Sequence, residues 1–339
     1  MKNSILDKYL TIKPMKYYDK AEEGLSDNLK SKRNALIENK DNAFIATQKW
    51  DGYWGMFIRG ESDDEMFIRG RSLNVNGGYE NYAEKLPHLV EEMKSWPLNT
   101  VVLAEMCWPE LGRIATDVGT VLRCLSSKAI ERQKEEKIIG SIFDLLVWNG
   151  TDISAKPYIE RLKYAKELIG SFEPEFFQLT EIYENDFPYH ASDIIARKGE
   201  GVVIQRKDNP YFFDKRPAWK SLKLKQKLPE IELQVIGTLE PEQFSKGDTN
   251  IDDWSYVEDG RKLTKAYANN WKAGVKVLYN GVEVSVASGM TEDDKQWLST
   301  PEAIEAIEKG KLIAVVRAMQ VNTLGSLRHP VLVRLRNDL

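Results

Sequence analysis

Residues 46–55 read Ala46-Thr47-Gln48-Lys49-Trp50-Asp51-Gly52-Tyr53-Trp54-Gly55, a lysine two positions ahead of an acid-glycine pair. The apolar run Ala43-Phe44-Ile45-Ala46 leads in and Tyr53 to Arg59 leads out, so the pattern predicts two strands joined in a hairpin at Asp51-Gly52. Lys49 then sits at a strand end beside a tight turn, where its amine can be held against a ligand. An amine attacks an electrophile only when neutral, so a site using Lys49 as a nucleophile would lower its pKa by burial or by neighbouring cations. On its own, Lys-x-Asp-Gly is better read as an ordinary hairpin with a solvated lysine. Only the segments further along the chain can give it another meaning.

The chain has 339 residues, more than one core usually serves, so two domains are expected. Apolar residues make up 42% and charged residues 29%, a globular balance. With 48 basic and 52 acidic residues the net charge is −4, which excludes a generic polyanion binder; any nucleic-acid surface must come from local clustering. The first residues, Met1-Lys2-Asn3-Ser4-Ile5-Leu6-Asp7-Lys8, carry no apolar leader, and no apolar run reaches membrane-spanning length, so a cytoplasmic protein without a membrane partner is expected. Cys107 and Cys124 are too few for a disulfide framework, and His88, His190 and His329 lack metal-ligand spacing. A metal would be held by carboxylates and phosphates, which points to magnesium.

Downstream, Glu65 to Ser72 reads as a strand ending near Arg71, a side chain suited to fork onto phosphate or ribose oxygens. Helical spacing predicts helices over Leu25 to Glu38, Tyr79 to Trp96, Ser126 to Lys137, Ala155 to Ile169 and Ala191 to Lys198. Val101 to Met106 is a buried-type strand carrying Glu105, a carboxylate that is costly there unless paired or bound to a metal or ribose hydroxyl. Ile138 to Val147 is another, in which Phe143 is either core or a stacking face for a base. Lys198-Gly199-Glu200-Gly201-Val202-Val203 supplies a second carboxylate, Glu200, at the start of a strand. Between Arg197 and Lys227 ten basic residues face three acidic ones, and in Leu222-Lys223-Leu224-Lys225 the alternation puts both lysines on one strand face. Gln226-Lys227-Leu228-Pro229 reads as an interdomain joint. Beyond it come short alternating strands, Ile231 to Leu239, Gly274 to Tyr279, Val282 to Ala287, Leu312 to Met319 and Leu327 to Leu335, with a helix at Pro301 to Lys309, which suggests a small barrel of the oligonucleotide-binding type.

In this order the segments resemble the covalent nucleotidyltransferase superfamily, and within it the ATP-dependent DNA ligases. Lys49 matches the lysine that becomes adenylylated; Arg71, Glu105, Phe143, Glu200-Gly201-Val202-Val203 and Lys223-x-Lys225 resemble the successive nucleotide-binding motifs. Arg328-His329-Pro330-Val331-Leu332-Val333-Arg334-Leu335-Arg336-Asn337-Asp338 resembles the closing motif of DNA ligases. The resemblance implies an α+β fold: an adenylation domain of nucleotidyltransferase (ATP-grasp-like) type with mixed and antiparallel sheets over 1–227, then an OB-fold barrel over 228–339. It implies a monomer that seals 5′-phosphate/3′-hydroxyl nicks in duplex DNA, with ATP as AMP donor and Mg2+ as cofactor.

The same resemblance implies that Glu105 and Glu200 hold ribose and magnesium, that Lys223 and Lys225 cradle the α-phosphate, and that Phe143 stacks the adenine while Thr47 and Gln48 face its edge. Arg336 would orient the leaving pyrophosphate. Two positions depart from the family pattern. Trp54 stands where an arginine is usual, leaving Arg59 or Arg69 as replacements, and Leu339 stands in place of a closing lysine. The set resembles the minimal ligases of phages, viruses and bacteria. An RNA-joining or GTP-using capping enzyme of the same superfamily is the near alternative, and a catalytically idle nucleic-acid-binding module the distant one.

Overall fold

The structure is a computed structural model, described for residues 5–18, 25–71, 78–225, 230–245, 256–318, 320, 321 and 326–337. The chain divides into two compact units, Met1–Gln226 and Lys227–Leu339. The joint expected at 226–229 lies outside the described residues, as do Asp338 and Leu339.

The first unit is built on two sheets. In chain order its strands are β1 (Phe44–Lys49), β2 (Tyr53–Arg59), β3 (Met66–Arg69), β4 (Thr100–Cys107), β5 (Ile139–Trp148), β6 (Thr151–Asp152), β7 (Phe177–Leu179), β8 (Ile182–Tyr183), β9 (Gly201–Arg206) and β10 (Ser221–Lys225). One sheet runs β10-β9-β1-β8; the other runs β3-β2-β4-β5-β6, with β7 parallel to β5 and the remaining pairs antiparallel. β4 and β5 are almost continuously apolar because both faces of their sheet are covered. On one face Phe57, Trp96, Ile142 and Phe177 pack with the helix Tyr158–Phe172. On the other, Met56, Ile58, Val101 and Leu103 meet Tyr9, Met15 and Tyr211. The outer face of the first sheet buries Ala46, Val202, Ile204 and Leu222 against Phe187, Ala191 and Ile194 of the helix Phe187–Ala196.

Asp51-Gly52 is not a hairpin turn. β1 pairs with β8 and β9, whereas β2 pairs with β3 and β4, so the pair is a corner at which the chain crosses from one sheet to the other. Asp51 Oδ1 accepts the Ala115 N–H at 3.2 Å, at the start of the helix Ala115–Leu122, instead of closing a turn. A Cβ on Gly52 would lie 2.3 Å from the Met106 carbonyl and 2.9 Å from Glu105 Cγ, so glycine is what lets the corner touch β4. The long helix expected over Tyr79 to Trp96 is a single turn at Ala83–Lys85 and a helix at Pro87–Met93. Pro87 lacks an N–H and holds Leu86 outside the helical region, so one continuous helix cannot pass through it.

The second unit contains β11 (Glu230–Leu239), β12 (Val257–Glu258), β13 (Arg261–Lys262), β14 (Gly274–Tyr279), β15 (Val282–Val286), β16 (Leu312–Arg317), β17 (Gln320–Val321), β18 (Leu327–Arg328) and β19 (Val331–Asn337). The main sheet has the order β15-β14-β11-β16-β19. Its two ends meet: Ser288, just past β15, forms a parallel bridge to Val331, and the Leu332 N–H donates to the Ser288 carbonyl at 2.8 Å. Val235, Val275, Val286, Leu312 and Val316 fill the interior. The strand expected over Leu327 to Leu335 is split because His329 takes a left-handed φ of 49° before Pro330.

Candidate active site

Register on the first sheet places the charges. Lys49 of β1, Gly201 of β9 and Lys225 of β10 form one cross-strand row; Thr47, Val203 and Lys223 form the next, on the same face. Leu222 and Leu224 alternate to the opposite, packed face. Gly201 has φ +130°, and a Cβ there would lie 2.3 Å from the Leu224 carbonyl, so only glycine lets β9 enter between the two lysine-bearing strands. Gln48 also borders the cleft; its N–H donates to the Glu181 carbonyl and its carbonyl accepts from Thr180 Oγ1, at 3.0 and 3.1 Å.

The second sheet supplies the facing wall. Trp54 on β2, Glu105 on β4 and Ser141 on β5 share a cross-strand row, and Phe143 lies two residues further along β5. These four, with Thr47, Gln48, Lys49, Val203 and Lys223, border one cleft between the sheets. Arg71 borders it too, just past the end of β3. Its Nη2 donates to the Met15 carbonyl at 3.1 Å.

Met15 belongs to an irregular segment, residues 12–18, tied across the unit. Met15 N–H donates to Tyr211 Oη and Lys16 N–H to the Lys215 carbonyl, while the Tyr18 carbonyl accepts from Lys223 N–H. This segment brings Tyr17 to the cleft. Val203 belongs to the stretch singled out at Glu200, but Tyr17 and Gln205 have no assigned role in the sequence reading; Tyr17 carries no local motif that would mark it.

Lys49 Nζ contacts Glu200 Oε2, with side chains 18% and 14% exposed. Burial by itself would lower the Lys49 pKa, but Glu200, Glu105 and Asp51 outweigh it and raise the pKa above the usual lysine value. This corrects the expectation of an amine kept neutral by surrounding cations: in the free protein Lys49 is an ammonium ringed by carboxylates. Burial pushes Glu105 up to about 7, opposed by Lys49 and Arg71 and reinforced by Glu200 and Asp51. Among the described residues no three metal-ligating side chains converge. The two carboxylates, Glu105 bordering the cleft and Glu200 on Lys49, do match magnesium, which binds through one or two carboxylates plus substrate phosphates.

Neither proposed replacement for an arginine at position 54 reaches the cleft. Arg59 is buried, held by the Trp96 carbonyl and by Asp63 Oδ1 at 2.6 Å. Arg69 is buried with Nη2 on the Ile12 carbonyl and its guanidinium 3.7 Å from the Tyr79 ring centroid. Arg71, 6.0 Å from the Trp54 ring, is the arginine that borders the cleft. Arg336 lies on β19 of the second unit and forks onto Glu232 at 2.8 and 2.9 Å.

The family model for the ATP dependent DNA ligase domain matches residues 24–225. A solved structure from a structure-function analysis of Lig E DNA ligases, described as DNA binding with a minimal scaffold, is 14% identical with a TM-score of 0.59. It covers 87% of this chain and 93% of its own. Pmar-Lig_PreS3 is also 14% identical, with a TM-score of 0.64 over 96% of this chain and 68% of its own. No curated protein matches the sequence. At these identities the likeness to solved structures concerns the fold.

Proposed function

The chain belongs to the ATP-dependent DNA ligase family, and we propose that Lys49 is the residue through which it carries AMP from ATP to the 5′-phosphate of a nick in duplex DNA. The observation behind this reading is that one cleft gathers Lys49, Arg71, Glu105, Phe143 and Lys223 from five separate segments and two sheets, with Glu200 on the lysine itself. Lys49 attacks the α-phosphorus of ATP, forming an N–P bond as pyrophosphate leaves with the electrons of the broken P–O bond. The 5′-phosphate at the nick then takes the adenylate from Lys49, and the adjacent 3′-hydroxyl displaces AMP. Such transfers depend on positioning and charge neutralisation.

The Lys49 ammonium must first lose its proton. Lys223 and Lys225, one on each of the two cleft rows, supply the positive charge that offsets the phosphates and favours the neutral amine. Glu105 and Glu200 hold ribose and Mg2+, which when bound neutralises phosphate charge beside Lys49. Thr47, Gln48 and Phe143 take the adenine edge and face.

The closed strand ring of the second unit, with helices Glu292–Trp297 and Pro301–Glu308 between its third and fourth long strands, supports an OB-fold at 228–339. There Arg336 orients the leaving pyrophosphate. The protein acts as a monomer on nicked duplex DNA.

Intact mass before and after ATP with magnesium tests the central claim. The wild type gains one AMP and Lys49→Ala gains none; a gain that persists in Lys49→Ala removes the nucleophile assignment. Arg336→Ala should slow AMP loading at limiting ATP, and an unchanged rate would reject its role.

A further inference from the structure

Three residues bordering the cleft carry a buried polar atom with no hydrogen-bond partner among the described residues: Trp50 Nε1, Ser141 Oγ and Gln205 Nε2. Folded proteins leave few such groups unpaired, and each costs about 1–3 kcal/mol. Trp50 adjoins Lys49 in the chain, and Ser141 pairs with Glu105 across β4 and β5. Gln205 lies elsewhere and is 2% exposed. It pairs with Ile45 and Ser221, one row beyond Thr47, Val203 and Lys223 and two rows beyond Lys49. At two residues per row, that is roughly 13 Å from the Lys49 row along the strands.

The cleft therefore has a polarity. Along β9 the cleft passes from Lys49 and Glu200 at one row, through Val203 beside Lys223 at the next, to an uncharged amide with an unused N–H at Gln205. The neighbouring polar groups are engaged: Ser221 Oγ accepts the Tyr18 N–H at 3.4 Å, and Tyr158 Oη donates to the Phe143 carbonyl at 2.9 Å. A carboxamide presents a donor and an acceptor side by side, which matches adenine N7 and the adenine N6 amino group. Guanine presents two acceptors, N7 and O6, on the same edge.

We propose that Gln205 reads the edge of the nucleotide base and selects adenine over guanine. This rests on the reading of the cleft as the ATP site. Because its amide N–H has no partner among the described residues, Gln205 weakens the empty fold and is repaid by the ligand, a signature that a structural glutamine does not share.

The test is Gln205→Met, which keeps chain length and removes the amide, with near-isosteric Gln205→Glu as a second variant should methionine overpack. AMP or GMP loading is followed by intact mass over a range of ATP or GTP, and the melting temperature of the nucleotide-free protein is measured alongside. For Gln205→Met the expectation is a melting temperature unchanged or raised, half-saturating ATP raised roughly tenfold or more, a maximal rate within about twofold, and an ATP-over-GTP preference reduced by a similar factor. Gln205→Glu keeps an acceptor for the adenine amino group but has no donor for N7, so it should raise half-saturating ATP while still favouring adenine. Half-saturating ATP within about twofold of wild type in a folded variant overturns the proposal. So does a fall in melting temperature with an unchanged nucleotide preference. If the wild type loads AMP while a folded Gln205→Met discriminates as it does, only this proposal fails; if the wild type loads nothing, the nucleotide reading of the cleft fails with it.

Discussion

Two ion pairs of the first unit are taken out of water, and they are built in opposite ways. Arg161 and Asp144 are both 0% exposed, joined by a fork at 2.8 and 2.9 Å. Arg161 Nη1 also donates to the carbonyls of Lys156 and Asn209, at 2.6 and 2.9 Å, and Asp144 Oδ1 accepts the Leu145 N–H at 2.9 Å. That network is closed around a guanidinium that does not give up its proton. Lys49 and Glu200 meet through one contact at the edge of a cleft, and Glu105 and Asp51 press on the same amine. An ammonium can lose its proton and become a nucleophile, and the excess of carboxylate around it leaves room for further positive charge. The difference separates a charge pair that holds a fold from one arranged for chemistry.

The sharpest way to break this comparison is to cut each pair at its cation. Lys49→Ala should lose all AMP loading while its melting temperature stays within a few degrees of wild type, because the remaining carboxylates can reach solvent through the cleft. Arg161→Met should do the reverse. It strands a fully buried Asp144, at a cost of about 3–5 kcal/mol, or a fall of roughly 6–20 °C for a unit of this size. The folded fraction should still load AMP at close to the wild-type rate. A Lys49→Ala protein that melts as early as Arg161→Met would show that both pairs hold the fold.

The same contrast marks what was legible in the sequence. Lys223 and Lys225 could be placed on one face from alternation alone, because a strand has a period of two. Glu105 stood out as an acid in an apolar strand, where its charge needs a reason. The long buried strands were legible from their apolar runs. The corner at Asp51-Gly52 was not, since an acid-glycine pair between two apolar runs has the same local pattern whether the strands pair with each other or with partners far along the chain. The sign of the Lys49 shift was equally hidden. The paired strand lysines Lys223 and Lys225 suggested a depressed pKa, whereas folding sets the charges of Glu200, 151 positions away, and Glu105, 56 away, against the Lys49 amine. Tyr17 lies ahead of the span matched by the family model and reaches the cleft through the ties of residues 12–18 to Tyr211, Lys215 and Lys223.

The smallest expected effect concerns Glu105, which belongs to the open arrangement and acts on Lys49 through its charge, and so tests whether the carboxylate excess is real. Its folded pKa of about 7 lies above the ordinary value of 4.5. The folded protein therefore keeps the proton to higher pH than the unfolded chain does. The group's contribution to stability is greatest below pH 4.5 and falls as pH rises from there to about 7. Glu105→Gln removes that slope. At roughly 1.4 kcal/mol per tenfold change in proton affinity, the effect is bounded at about 3 kcal/mol, and solvent entering the cleft reduces it. Melts of the nucleotide-free proteins should show the variant gaining on the wild type between pH 5 and pH 8, by up to several degrees. Parallel profiles across that range would mean that Glu105 ionises as freely as a surface carboxylate, and that Lys49 stands among fewer competing negative charges than the cleft geometry implies.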